Sequence, residues 1–143
     1  MYCLDANVWI YFLDAGLDEH EAVHDAVAEV LETLPLFTTT VLQMEVVHYL
    51  TNQLRESEPR VETVLAAEDT TVAALRSTDV ERAAELLDEH EHAGIGGRDT
   101  AVLAAMKRHD VSQLWTHDEA LGRTGERLDW LSVTDPVIES GVP

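Results

Sequence analysis

Four acidic side chains, Asp5, Glu45, Asp99 and Asp118, stand where a folded chain could gather carboxylates into one place. Asp5 closes the short apolar run Met1 to Leu4, and Asp118 follows Leu114-Trp115-Thr116-His117. Both therefore fall at the end of an expected strand, the edge at which open parallel α/β sheets bind ligands. Each could equally cap the helix that follows, a common use of Asp after a strand. Glu45 lies in the apolar segment Val41 to Leu50, where burying a lone carboxylate is costly. With His48 and Asn52 three and seven residues on, it makes a narrow polar stripe, which a solvated helix face would also show. Asp99 follows Gly94-Ile95-Gly96-Gly97-Arg98 and opens a helix of small side chains, Ala101, Ala104 and Ala105. A helix cap is again the alternative, and so is an anion site at the glycine-rich helix start. The lysine-bearing signature of a phosphate loop is absent.

The set says more than its members. Acids brought into one crevice repel and raise each other's pKa unless a cation joins them. Mg²⁺ or Mn²⁺ is the natural occupant, because hard ions prefer carboxylate and water oxygens. A catalytic zinc would more often show closely spaced His or Cys ligands. His20 and His24 have helical spacing but sit in a segment that reads as a solvated acidic helix; His90 and His92 read as exposed residues at a helix end. Cys3, the one cysteine, reads as a packed thiol with no disulfide partner.

The elements that must position these acids follow from periodicity. Strands are expected over Met1 to Leu4, Leu36 to Thr40, Val72 to Leu75, Ser112 to Thr116 and Trp130 to Val133. A helix is expected after Asp5, and others over Glu19 to Leu34, Val41 to Leu54, Glu58 to Ala66, Asp79 to His92, Asp99 to His109 and Glu119 to Arg123. Pro35 ends the second of these, Asp79 is a candidate N-cap, and the glycines from Gly94 close the helix before Asp99. Strands alternating with helices predict an α/β/α sandwich around a mainly parallel sheet of four or five strands. The 143 residues suit one domain, residues 1 to 143, with fraying confined to the tail after Pro136.

Twenty-eight acidic residues against nine basic ones give a formal charge of −19, yet 45% of residues are hydrophobic. Disordered chains pair high charge with low hydrophobicity, so the charge must coat a folded body. At ~1 M salt the screening length falls to roughly 3 Å, and adaptation to a salty cytoplasm is the first explanation of the coat. A basic partner is the second. No run approaches the ~18 apolar residues of a membrane span and no signal-peptide pattern opens the chain, so a cytoplasmic protein is expected.

Leu4-Asp5-Ala6-Asn7, Glu45 in its apolar helix, Ala83 to Leu87, the segment Gly96 to Ala105 and Trp115-Thr116-His117-Asp118 follow one another in an order that resembles a PIN-domain nuclease. In size the chain is similar to a VapC-type toxin of a toxin–antitoxin pair. The resemblance covers nearly the whole chain. It implies a ribonuclease dependent on Mg²⁺ or Mn²⁺, with Asp5, Glu45 and Asp99 as metal-binding acids and Asp118 as the fourth. Asn7 and Thr116 become polar helpers, and Arg98 a contact for phosphate. It also implies an antitoxin partner and a homodimer. His117 departs from the small polar or variable residue expected beside the fourth acid.

RNA binding by so acidic a chain needs cations. Every Lys and Arg lies after residue 54, and Arg98, Lys107, Arg108, Arg123 and Arg127 fall in the half that holds two of the acids. Trp9, Trp115 and Trp130 could stack on bases, although core packing is the commoner use. A phosphatase with Asp5 as nucleophile is disfavoured, because Asn7 stands where a second Asp would be and Lys107 is the only lysine. A non-catalytic acidic interaction domain and an RNA-processing nuclease outside any toxin–antitoxin pair are the other readings.

Overall fold

A computed structural model describes residues 1–139. Among them, β1 (Tyr2–Leu4), β2 (Leu36–Thr39), β3 (Thr70–Ala73), β4 (Gln113–Trp115) and β5 (Ser132–Thr134) form one sheet in the order β3-β2-β1-β4-β5. Every pairing is parallel. The helices are α1 (Ala6–Leu13), α2 (His20–Thr33), α3 (Thr40–Gln53), α4 (Glu58–Leu65), α5 (Ser77–Glu89), α6 (Gly97–Arg108) and α7 (Glu119–Glu126). The expected α/β architecture is therefore present, with five strands and all of them parallel.

The chain runs outward from β1 through β2 to β3, then returns to the other side of β1 for β4 and β5. Right-handed crossovers put the connecting helices of the two halves on opposite faces. The contacts agree, since α1 packs on α2 and α3, α3 on α4, and α5 on α6. Burial follows position in the sheet: all four residues of β2 are buried, whereas β3 and β5 at the edges are partly exposed. Phe37, Leu103, Met106, Leu114 and Trp115 are among the fully buried side chains. Helix α6 is buried without interruption from Thr100 to Met106, and Ala101, Ala104 and Ala105 let its neighbours approach closely. Gly125 does the same for α7, because a side chain there would collide with Val133 of β5.

Three expectations change. Asp79 is not the N-cap of α5, which is Arg76; Asp79 stands three residues into the structure's capping box, where its Oδ2 accepts from the Arg76 amide at 2.9 Å. Its carboxylate is also forked by Arg108, with Nε to Oδ1 and Nη2 to Oδ2 both at 2.9 Å. Helix α3 buries only the stripe Leu42, Val46 and Leu50, and Met44 is 60% exposed. An apolar sequence there does not mean burial on every side. His90 is buried rather than exposed, because the chain folds back over the end of α5 as the Ala93 amide bonds the His90 carbonyl. Of the tail expected to fray after Pro136, residues 140–143 lie outside the described residues, while the amides of Val137, Ile138 and Glu139 all bond Asp135.

Candidate active site

Asp5 leaves β1 with its amide bonded to the Trp115 carbonyl of β4 at 2.9 Å. It thus sits where β1 meets β4, the point at which the sheet order reverses and the strand ends open a crevice. Its extended backbone makes it the N-cap of α1, with Oδ1 accepting from the Ala6 amide at 2.8 Å. Asp118, on the turn after β4, caps α7 through Oδ1 and the Leu121 amide at 3.0 Å. The capping role and the site role are therefore not alternatives for these two acids. A cap needs only one oxygen.

Thr116 ties the two together. Its hydroxyl donates to Asp5 Oδ2 at 2.7 Å and accepts from the Asp118 amide at 3.1 Å and from Asn7 Nδ2 at 3.4 Å. Asn7 Oδ1 in turn accepts from the His117 amide at 3.3 Å. Glu45 arrives from α3 and Asp99 from the first turn of α6, two helices in contact. Between them Arg98 Nη1 lies 2.6 Å from Glu45 Oε1. Asp5, Asn7, Glu45, Arg98, Asp99 and Asp118 line one cleft of about 490 Å³, together with Ile10 and the backbone at Gly96 and Gly97.

The electrostatics record the same convergence. Burial, then the charges of Asp5, Asp118 and Glu45, push the Asp99 carboxyl up to about 6. Asp5 is raised by burial, against the opposing bonds from Thr116 and Ala6, with Asp118 adding to the rise. Glu45 is raised by burial, pulled back by Arg98 and raised again by Asp5. Among the described residues no three Asp, Glu, His or Cys side chains converge tightly enough to hold an ion as they stand. The donor chemistry nonetheless fits a hard cation, since several carboxylate oxygens face one cleft and a cation relieves the repulsion that raises their pKa.

The other sequence candidates separate. Trp9 and Trp115 are buried in the core, while Trp130 is half-buried with Lys107 Nζ 5.2 Å from its ring centre. Arg108 is occupied by Asp79, and Arg123 bonds the Ala93 carbonyl at 3.3 Å. His20 Nδ1 donates to the Tyr11 carbonyl, 2.8 Å away, rather than pairing with His24 around an ion. The Cys3 thiol is buried and pushed up by that burial. Sequence reasoning missed Ile10, which lines the cleft, and the contact of His117 Nδ1 with Asp135 Oδ2 at 2.8 Å beside it. Ile10 falls on the same face as Asn7 by helical spacing, a signal that could have found it; nothing in the sequence links His117 to Asp135.

A family model described as PIN domain matches residues 2–127. The chain belongs to the PIN domain family. PIN and VapC proteins are nucleases, and the five-stranded parallel sheet is that of this family. The fold is similar to that of VapC20 from Mycobacterium tuberculosis, a sarcin–ricin-loop-cleaving toxin, at a TM-score of 0.71 and 15% identity over 87% of this chain and 95% of that one. FitAB bound to an IR36 DNA fragment superposes at a TM-score of 0.70 and 16% identity, covering 99% of both chains. VapBC2 from Rickettsia felis, bound to a DNA fragment from its promoter, gives 0.66 and 14%, covering 93% of this PIN domain and 96% of that chain. No curated protein matches the sequence significantly. No helix of the described residues is long and apolar enough to cross a membrane.

Proposed function

We propose that this PIN domain is a ribonuclease dependent on Mg²⁺ or Mn²⁺, serving as the toxin of a toxin–antitoxin pair. The observation that carries the reading is the single cleft lined by Asp5, Glu45, Asp99 and Asp118, in which burial and then the charges of the other three push the Asp99 carboxyl up. Asp5, Glu45 and Asp99 hold the cation and Asp118 completes the set. A bound divalent ion supplies Lewis-acid activation of water and of the phosphodiester. Thr116 favours the ionised form of Asp5 by donating to Oδ2, against the effect of burial, and Asn7 fixes the Thr116 hydroxyl so that its proton points to Asp5. Arg98, largely exposed at the cleft, supplies a guanidinium whose forked donors match phosphate oxygens.

The likeness to VapC20 and to toxin–antitoxin complexes supports a toxin role and an antitoxin partner, and a homodimer in the cytoplasm belongs to the same proposal. The charge of −19 suits work in concentrated salt, where counterion release adds little to RNA affinity. The test is cleavage of a mixed RNA pool with Mn²⁺ or Mg²⁺ in high salt, with Asp5→Asn and Asp99→Asn alongside. Each substitution should cost at least about 100-fold in rate, the scale of losing a group that stabilises transition-state charge. Equal cleavage by all three proteins would sink the reading.

A further inference from the structure

Arg98 and Glu45 stand on the divide between two concavities. Both line the acidic cleft, and both also line an adjoining groove of about 560 Å³ formed with Thr40, Val41, Met44 and His48. The Glu45 carboxylate is committed to this divide by the 2.6 Å approach of Arg98 Nη1 to Oε1. Oε1 is held by the guanidinium, and the positive charge beside the carboxylate opposes a cation at the other oxygen as well, so Glu45 does not readily meet a cation shared with Asp5 and Asp99. Two features make the restraint reversible. The Arg98 side chain is 74% exposed, so the pair is screened by solvent and weakly held. Arg98 also has no other ion-pair partner among the described residues, and a phosphodiester offers it two oxygens in the forked geometry it favours.

Resting on the nuclease reading above, we infer that Arg98 is a positioning residue that withholds Glu45 from the cation site until an RNA phosphate takes its guanidinium. Cation and nucleic acid then bind cooperatively, each releasing what the other needs. The ion pair is broken once and both its members are reused, Glu45 toward the cation and Arg98 toward the backbone.

The test is Mn²⁺ binding by the full chain in high salt, read from the electron paramagnetic resonance signal of free Mn²⁺, with single-stranded oligothymidylate as the phosphate probe. Without the probe, Arg98→Gln should bind Mn²⁺ roughly two- to fivefold more tightly than wild type, the scale of releasing a partly exposed ion pair. The probe should tighten Mn²⁺ binding in wild type and leave the variant unchanged. Removing a positive charge could also act at long range, so the same substitution is made in a Glu45→Gln background. There the gain should vanish. A gain that persists without the Glu45 carboxylate, or a probe effect equal in wild type and Arg98→Gln, overturns the inference while leaving the nuclease reading standing. Absence of Mn²⁺ binding in wild type and in both variants overturns the two together.

Discussion

Asp79 and Asp99 each occupy the third position of a helix, α5 and α6 respectively, and their environments differ in one respect that decides their roles. Asp79 is 2% exposed and fully answered: the Arg76 amide and the Arg108 fork take both oxygens, and they hold its carboxyl below the usual range. Asp99 is less buried, yet its neighbours are Asp5, Asp118 and Glu45, and it rises to about 6. Burial alone therefore does not mark a functional acid. What singles out Asp99 as a candidate is burial among groups of its own sign, where a further cation would balance the charge.

The comparison can be broken most sharply at Asp79. Asp79→Ala should destabilise the fold by about 1–2 kcal/mol, because it removes the bond to the Arg76 amide at the helix start and leaves the partly exposed Arg108 without its partner. Denaturant unfolding reads this, and an unchanged midpoint would mean the buried pair contributes nothing. The pair should also be indifferent to pH until acid protonates it. A depressed carboxyl contributes stability above its unfolded value, and that stability is lost only as pH falls below ~4.

A smaller effect is expected within the cleft. Thr116→Val removes the donor that favours ionised Asp5, and cleavage should fall by about tenfold, the lower end of losses on removing a hydrogen bond that orients a metal-binding group. The defect should shrink as pH rises, since alkali restores the Asp5 charge that the hydroxyl had favoured. A pH-independent loss would assign Thr116 to shape alone.

Asp99 should show the opposite linkage to Asp79. Its raised pKa means that ionisation works against the fold, so stability in chelator should decline as pH rises from about 4 to about 6 and then level off. Because the group is partly exposed and solvent screens its charge, the gain for Asp99→Asn at neutral pH should be about 1 kcal/mol. Thermal melts of both chains at pH 7.5 and pH 4 check it: the gain should be present at the first and absent at the second. Saturating Mn²⁺ should reverse the order by stabilising wild type more than the variant.

The sequence by itself determined the alternation of strands and helices, because apolar periodicity and the punctuation at Pro35 and Gly94 are local properties of the chain. Helix limits came within a few residues throughout, and Asp5 and Asp118 were legible from strand ends alone. Glu45 was legible only as a carboxylate out of place in an apolar segment, although α3 buries just the stripe Leu42, Val46 and Leu50. Tertiary structure decided what local signals cannot carry. Asp79 and Asp99 look alike in sequence, each an acid near the start of a helix, and only the arrival of Arg108 from 29 positions away makes one a structural anchor. His117 met Asp135 across a shorter separation, and Glu45 met Arg98 across a longer one, for the same reason. Which charges face each other depends on how the elements pack, and it is the return of the chain from β3 to the far side of β1 that brings the four acids to one crevice.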